Sequence, residues 1–234
     1  MRRAADLQHA DDGELVDLAM SGDAAAFDAI MKRYDRRLYR VARAVLRNDS
    51  DAEDVLQEAY MRAFTHLSSF RGKAKLATWL TRITLNEARG SLRRRRPSVE
   101  IGILDSISDQ GESRVVLFPA SHVEADPEAA AARTEMRRVL ERAIDALPEA
   151  FRLVFVLRDV EEMSTDETAN ALGLRPETVK TRLHRARRLL RDSLGETMSP
   201  TVTDAFPFEG ARCAELRHSV LRRLGISVSE RAQS

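Results

Sequence analysis

STDETANALGLRPETVKTRLHRARRLLR, residues 164–191, decides the fold class of this chain. Ser164 and Glu167 stand at capping-box spacing, in which a hydroxyl and a carboxylate each satisfy a free amide at a helix start. Ala169 and Leu172 give that short helix an apolar side, and Gly173 is placed to end it. Leu174 and Arg175 form a turn. Pro176 suits the first position of a second helix, where no amide donor is needed. Val179, Leu183, Ala186 and Leu190 then recur at steps of three and four, so they line one helix face. The spacing predicts two helices joined by a tight turn, a helix-turn-helix.

The second of these helices is cationic. Arg175, Lys180, Arg182, Arg185, Arg187, Arg188 and Arg191 face a single acid, Glu177. A helix fits the major groove, its N-terminal residues reach base edges, and flanking cations hold phosphates. Arg175, Pro176, Glu177, Thr178, Lys180, Thr181, Arg182 and Arg185 are therefore the candidate duplex-reading residues. The cations alone describe a solvated basic helix equally well. The capped helix and turn ahead of them favour contact with DNA.

Working toward the N-terminus, Met136, Val139, Leu140, Ala143, Ile144 and Leu147 keep a helical period up to Pro148. A short apolar helix follows through Phe151, Val154, Phe155 and Leu157. Residues 97–132 lose all periodicity and read as a flexible linker, with a helix resuming near 129–132. The first block, residues 1–96, is helical again. Phe27, Ile30, Met31, Tyr34, Leu38, Val41 and Val45 form one stripe, and Val55, Leu56, Ala59, Tyr60, Ala63, Phe64 and Leu67 a second. Ser50 and Glu53 offer a capping box between them. A polar loop, 68–75, precedes a third helix from about Thr78 to an arginine run ended by Pro97. After residue 194 a loop leads to one more amphipathic helix, 212–224. The expected fold is all-α: two small helical domains, 1–96 and 133–194, joined by the linker 97–132, with an extension 195–234 of unread role.

Charge follows the same divisions. Residues 1–96 hold 19 Lys and Arg against 14 Asp and Glu, and residues 133–194 hold 13 against 11. The linker holds 1 against 7. Two basic blocks flank an acidic connector, which points to a polyanionic partner. Within the first block, Phe70, Arg71, Lys73, Lys75, Trp79, Arg82, Asn86 and Arg89 interleave rings with cations. That composition suits opened single strands, where bases stack on rings and cations follow the backbone. A lone Trp is more often a core residue. Asp51, Asp54, Gln57 and Glu58, with Val55 among them, give the second helix an acidic face fit for a basic protein surface. The same acids also suit a solvated first turn beside the helix dipole.

Several classes are disfavoured. Aromatic residues at 5% speak against a β-sandwich or barrel. A single cysteine, Cys213, excludes an intrachain disulfide and a thiolate zinc site. Five scattered histidines lack metal-ligand spacing, and no phosphate-binding or nucleophile-elbow motif occurs. No run approaches a membrane span, and residues 1–15 carry no signal-peptide core. The expectation is a cytoplasmic protein that is not an enzyme and uses no cofactor or metal. From these features a stand-alone helix-turn-helix regulator remains open beside a polymerase-associated factor.

The ordered set of short motifs resembles the extracytoplasmic-function sigma factors. It comprises Asp51–Glu58 with Ala63-Phe64, Phe70–Gly72, Thr78–Leu80, Arg82-Ile83, Asn86–Ala88, Ala146–Pro148, Glu167–Ala169, Leu172–Leu174 and Thr178–Arg187. The resemblance covers about residues 12–96 and 133–194. It implies a protein that binds core RNA polymerase and directs initiation at promoter DNA. The Asp51–Phe64 helix would dock on the polymerase clamp, the Phe70–Asn86 stretch would melt and read the proximal promoter element, and the helix from Pro176 would read the upstream element. It implies that the acidic linker threads toward the polymerase cleft, and it brings an anti-sigma factor into view as a partner. Leu76 stands where the family often has an aromatic residue, and Thr168 where Ile is common. Residues 200–224 are similar to a tail found in some subgroups, expected to pack on the second helical domain.

Overall fold

The computed structural model describes Leu7 and residues 9–72, 74–95, 127–194 and 205–226, and all its long elements are helices. In the first block, α1 (Asp12–Met20) is capped by Asp11, whose side chain accepts the Glu14 amide at 2.8 Å. The sequence reading passed over this helix, which is only nine residues long. Its Leu15, Val16 and Ala19 are buried against α2 (Ala24–Leu46). α2 is the central element. It packs on α1, on α3 (Asp49–Thr65) and on α4 (Leu76–Arg95), with a single 3₁₀ turn, Leu67–Ser69, between α3 and α4. Arg47 ends α2 in the left-handed region (φ 54°), its amide returning to the Arg43 carbonyl. α3 starts two residues earlier than a Ser50 cap would place it. Asn48, extended at φ −144°, accepts the Asp51 amide at 3.0 Å and so takes the capping role.

Because elements cover α2 on several sides, two of its charged residues are buried: Asp35 and Arg40, each 3% exposed. The Tyr60 hydroxyl donates to Asp35 at 2.9 Å. Burial outweighs this bond and the neighbouring Arg217 and pushes the Asp35 carboxyl up to about 6, with Asp28 adding a small push the same way. A carboxyl whose folded value is raised stabilises the fold below its unfolded value, near 4, and loses that contribution as pH climbs through about 6. Asp35→Asn is therefore expected to flatten the fall in stability between pH 4 and pH 6, measured by urea unfolding. An unchanged profile would show that Asp35 titrates normally.

The second block contains α5 (Pro127–Ala146), α6 (Glu149–Phe155), a π turn (Val156–Val160), α7 (Thr165–Leu172) and α8 (Pro176–Leu194). The reciprocal box at the start of α7 forms as expected: Glu167 N–H donates to Ser164 Oγ at 3.1 Å, and Ser164 N–H to Glu167 Oε2 at 2.8 Å. Gly173 takes φ 67°, which closes α7 and turns the chain into α8. Thr168, where the family often has Ile, is fully buried and its hydroxyl has no hydrogen-bond partner. A stranded hydroxyl of this kind is costly. Thr168→Val, which keeps the shape, is expected to raise stability by about 1 kcal/mol in thermal unfolding.

The two blocks are packed together rather than connected by the linker alone. α2 lies against α6 and the π turn, and α4 against α7. Glu161, just past the π turn, is gripped from α2. Arg40 reaches its Oε1 at 2.9 Å, and Arg37 reaches its Oε2 at 3.2 Å and its carbonyl at 3.1 Å. Arg43 bridges Asp49 at 2.7 Å and both Asp145 oxygens at 3.0 and 2.8 Å. Arg152 is 4% exposed and donates to the Ala44, Asp145 and Leu147 carbonyls.

The extension also departs from expectation. Its helix α9 (Ala211–Arg223) packs on α3 and α4's neighbour α2, both in the first block. The Phe206 amide reaches the second block, donating to Glu141 at 2.8 Å. Cys213, Leu216, Val220 and Leu221 form the buried apolar stripe of α9.

Candidate nucleic-acid interface

α8 displays its cations outward. Val179, Leu183, Ala186, Leu190 and Leu194 are buried, which fixes the opposite face toward solvent. Arg175, Glu177, Lys180, Thr181 and Arg185 are exposed, while Pro176, Thr178 and Arg182 are half-buried at the helix edge. The Thr181 hydroxyl is engaged with the Glu177 carbonyl at 2.9 Å. Arg187 points elsewhere: it grips Asp159 with two bonds, 2.8 and 2.7 Å, and ties α8 to the π turn. Sequence spacing therefore brought the predicted duplex-reading residues onto one accessible edge, and Arg187 serves the fold.

The proximal-element candidates lie along the loop before α4 and along α4 itself. Phe70 and Trp79 are both half-buried, with ring centroids 5.5 Å apart and planes tilted by 55°. Trp79 is neither wholly core nor wholly open. Arg71, Lys75, Arg82 and Asn86 are exposed and Arg89 is half-buried; Lys73 lies outside the described residues. Two of these cations are engaged across the block boundary. Lys75 Nζ sits 2.8 Å from Glu167 Oε1, and Arg89 Nε sits 3.7 Å from Glu149 Oε1. Lys75, followed by the Ser164 amide, holds the Glu167 carboxyl down at about 2. Leu76, the departure from the family's aromatic residue, is 1% exposed and belongs to the core.

The acidic helix α3 keeps Ala52, Val55, Leu56, Ala59 and Tyr60 inward. Val55, grouped with the polymerase-facing residues, is 5% exposed; its place on the apolar stripe makes it a packing residue in this state. Asp54 and Glu58 are exposed, Asp51 and Gln57 half-buried. Glu53, which the sequence reading used only as a capping partner, is instead an ion-pair partner of Arg212.

The comparisons assign these parts. Residues 30–97 match Sigma-70 region 2, and residues 137–190 match Sigma-70 region 4. The ECF RNA polymerase sigma factor SigW of Bacillus subtilis is 34% identical over 176 residues, covering 74% of this chain and 91% of that protein. The chain belongs to the ECF sigma-factor family. The ECF sigma-E factor of Escherichia coli K12 is likewise 34% identical, over 76% of the sigma factor described here and 92% of its own length. Among solved structures, CnrH in complex with the cytosolic domain of CnrY superposes with a TM-score of 0.55 at 29% identity, covering 77% and 95% of the two chains. The sigma factor RpoE in complex with the anti-sigma factor NepR from Bartonella quintana gives 0.50 at 25% identity, covering 69% and 92%.

This sigma factor thus acts in transcription initiation with core RNA polymerase at promoters and is not an enzyme. Helices α3 and α4 fall within region 2, and the α7–turn–α8 unit up to residue 190 within region 4. The extension lies beyond both matches. Among the described residues no helix is long and apolar enough to cross a membrane, and no cluster of three or more His, Cys, Asp or Glu is arranged to hold a metal. Burial raises the Cys213 thiol to about 11, so it carries no reactive thiolate at neutral pH.

Proposed function

We propose that the sigma factor divides promoter recognition between its two blocks. The outer edge of α8, with Arg175, Pro176, Glu177, Thr178, Lys180, Thr181, Arg182 and Arg185, reads the upstream element as duplex in the major groove. The α4 surface, with Phe70, Arg71, Lys73, Lys75, Trp79, Arg82, Asn86 and Arg89, takes the opened strand of the proximal element. The polar face of α3, with Asp51, Asp54, Gln57 and Glu58, docks on the polymerase clamp. Polymerase makes every bond, and the site of action is the cytoplasm, where chromosome and polymerase are. An anti-sigma factor is the proposed restraining partner, on the precedent of the RpoE–NepR complex.

One observation carries this reading: the helix-turn-helix that matches region 4 leaves a predominantly cationic edge on α8 exposed, while its apolar stripe is buried. The packed blocks add a constraint. Lys75 and Arg89 are engaged by α7 and α6 residues, so the proximal-element surface becomes complete only when the blocks part. In vitro transcription with core polymerase tests the whole. Addition of the chain is expected to restore initiation at defined start sites; a chain that binds DNA yet leaves start-site choice unchanged would instead be a stand-alone regulator.

A further inference from the structure

The extension, which neither family region includes, lies on the surface that the preceding reading gives to polymerase. Its anchor is aromatic and buried. Phe206 and Phe208 are 3% and 2% exposed, and Phe208 stacks on Tyr39 of α2 at 4.2 Å with planes 9° apart. Arg40 of α2 donates to the Phe206 carbonyl at 3.2 Å. Gly210, at φ 67° and ψ −136°, then turns the chain into α9, a backbone state that suits glycine.

From there α9 runs over α3 with matched polar partners. Arg212 Nε reaches Glu53 Oε1 at 2.8 Å, Ser219 Oγ reaches Gln57 Oε1 at 3.4 Å, and Arg223 Nη1 reaches Glu58 Oε1 at 2.8 Å. Arg217 enters between the helices, pairing with buried Asp35 at 2.8 Å and Asp28 at 3.2 Å. α3 carries five acids and one Arg, while α9 carries four Arg and one Glu, so the two helices are complementary in charge. Gln57 and Glu58 are both proposed clamp contacts, and both are engaged by the far end of α9.

The strength of the grip is uneven. The Phe206–Phe208 anchor is buried and Arg217 is half-buried, whereas Arg223–Glu58 and Arg212–Glu53 are exposed pairs of the weak kind. A cover built this way lifts at its distal end while remaining tethered, which keeps its local concentration high.

We propose that residues 205–226 are an intramolecular cover of the α3 docking face, which competes with core polymerase and must lift for the holoenzyme to form. The proposal rests on the reading of α3 as the docking helix, and the experiment separates the two. Affinity of the full chain for core polymerase is measured for the parent, for the double variant Arg212→Glu/Arg223→Glu, and for Asp54→Arg, whose side chain is exposed beside the covered face. The double variant sets like charges against Glu53 and Glu58 and is expected to bind at least tenfold more tightly, while Asp54→Arg binds more weakly. A double variant no tighter than the parent, with Asp54→Arg weakened, overturns the cover and keeps the docking face. Asp54→Arg at parental affinity overturns both. Hydrogen exchange of the unmodified chain removes any dependence on variant folding. On adding core polymerase, amides of 211–223 are expected to exchange faster while those of 24–46 stay protected; unchanged or slower exchange at 211–223 overturns the cover.

Discussion

Glu161→Ala is expected to cost about 3–5 kcal/mol of folding stability, because it breaks a buried ion pair by removing one partner. The Glu161 side chain is 8% exposed and takes Arg40, itself 3% exposed, on one oxygen and Arg37 on the other. Removing the carboxylate takes this ion pair from Arg40, in a place water reaches poorly, while its bond to the Phe206 carbonyl stays. Arg37 is 28% exposed and turns to solvent at little cost. Since the clamp spans the block boundary, the loss falls on the packing of one block against the other. Two measurements check it: urea unfolding for the stability, and small-angle scattering for a larger radius of gyration. A variant within about 0.5 kcal/mol of the parent, with unchanged scattering, would mean the clamp contributes nothing net, as happens for surface substitutions.

Arg182→Ala is expected to weaken binding to the upstream promoter element by about 1–3 kcal/mol, or roughly five- to 150-fold. Arg182 sits at the edge of the first two turns of α8, the part of such a helix that reaches base edges. Arg182 is half-buried, so its side chain has less freedom to lose on binding than a fully exposed one. Arg188, exposed and further along α8, is the matching control. Arg188→Ala should weaken cognate and scrambled duplexes alike and reduce the salt dependence, the behaviour of a phosphate contact. Should Arg182→Ala lose equally on both duplexes, Arg182 is a phosphate contact too and the base-reading residue lies elsewhere on the edge.

Much of the candidate interface was legible in one dimension. Steps of three and four gave the buried stripe of α8, and the complement of that stripe is its cationic edge. Ser164 with Glu167, and Gly173, marked helix ends through bonds reaching three or four residues, and Pro176 through its missing amide donor. Where two local solutions competed, the reading slipped. Asn48 took the cap offered to Ser50, since both place a side-chain acceptor near the same free amides. Val55 was read as a docking residue from its acidic neighbours, although its own helix stripe already assigned it inward. Asp35 and Arg40 are two of eight charged residues on α2, and nothing nearby in sequence marked them as buried or named their partners.

The sequence by itself determined the long helices, the caps around the helix-turn-helix, the apolar faces and the family. Each of these follows from interactions within a turn or two of helix, so their pattern is written in neighbouring residues. Tertiary structure alone decided that the two blocks close on each other and that the extension lies on α3. Arg40 and Glu161 are 121 residues apart, and Arg217 and Asp35 are 182 apart. Charges at such separations have many possible partners in a chain with 38 cations and 37 acids. Only packing, by excluding water around a few of them, selects the pairs that form.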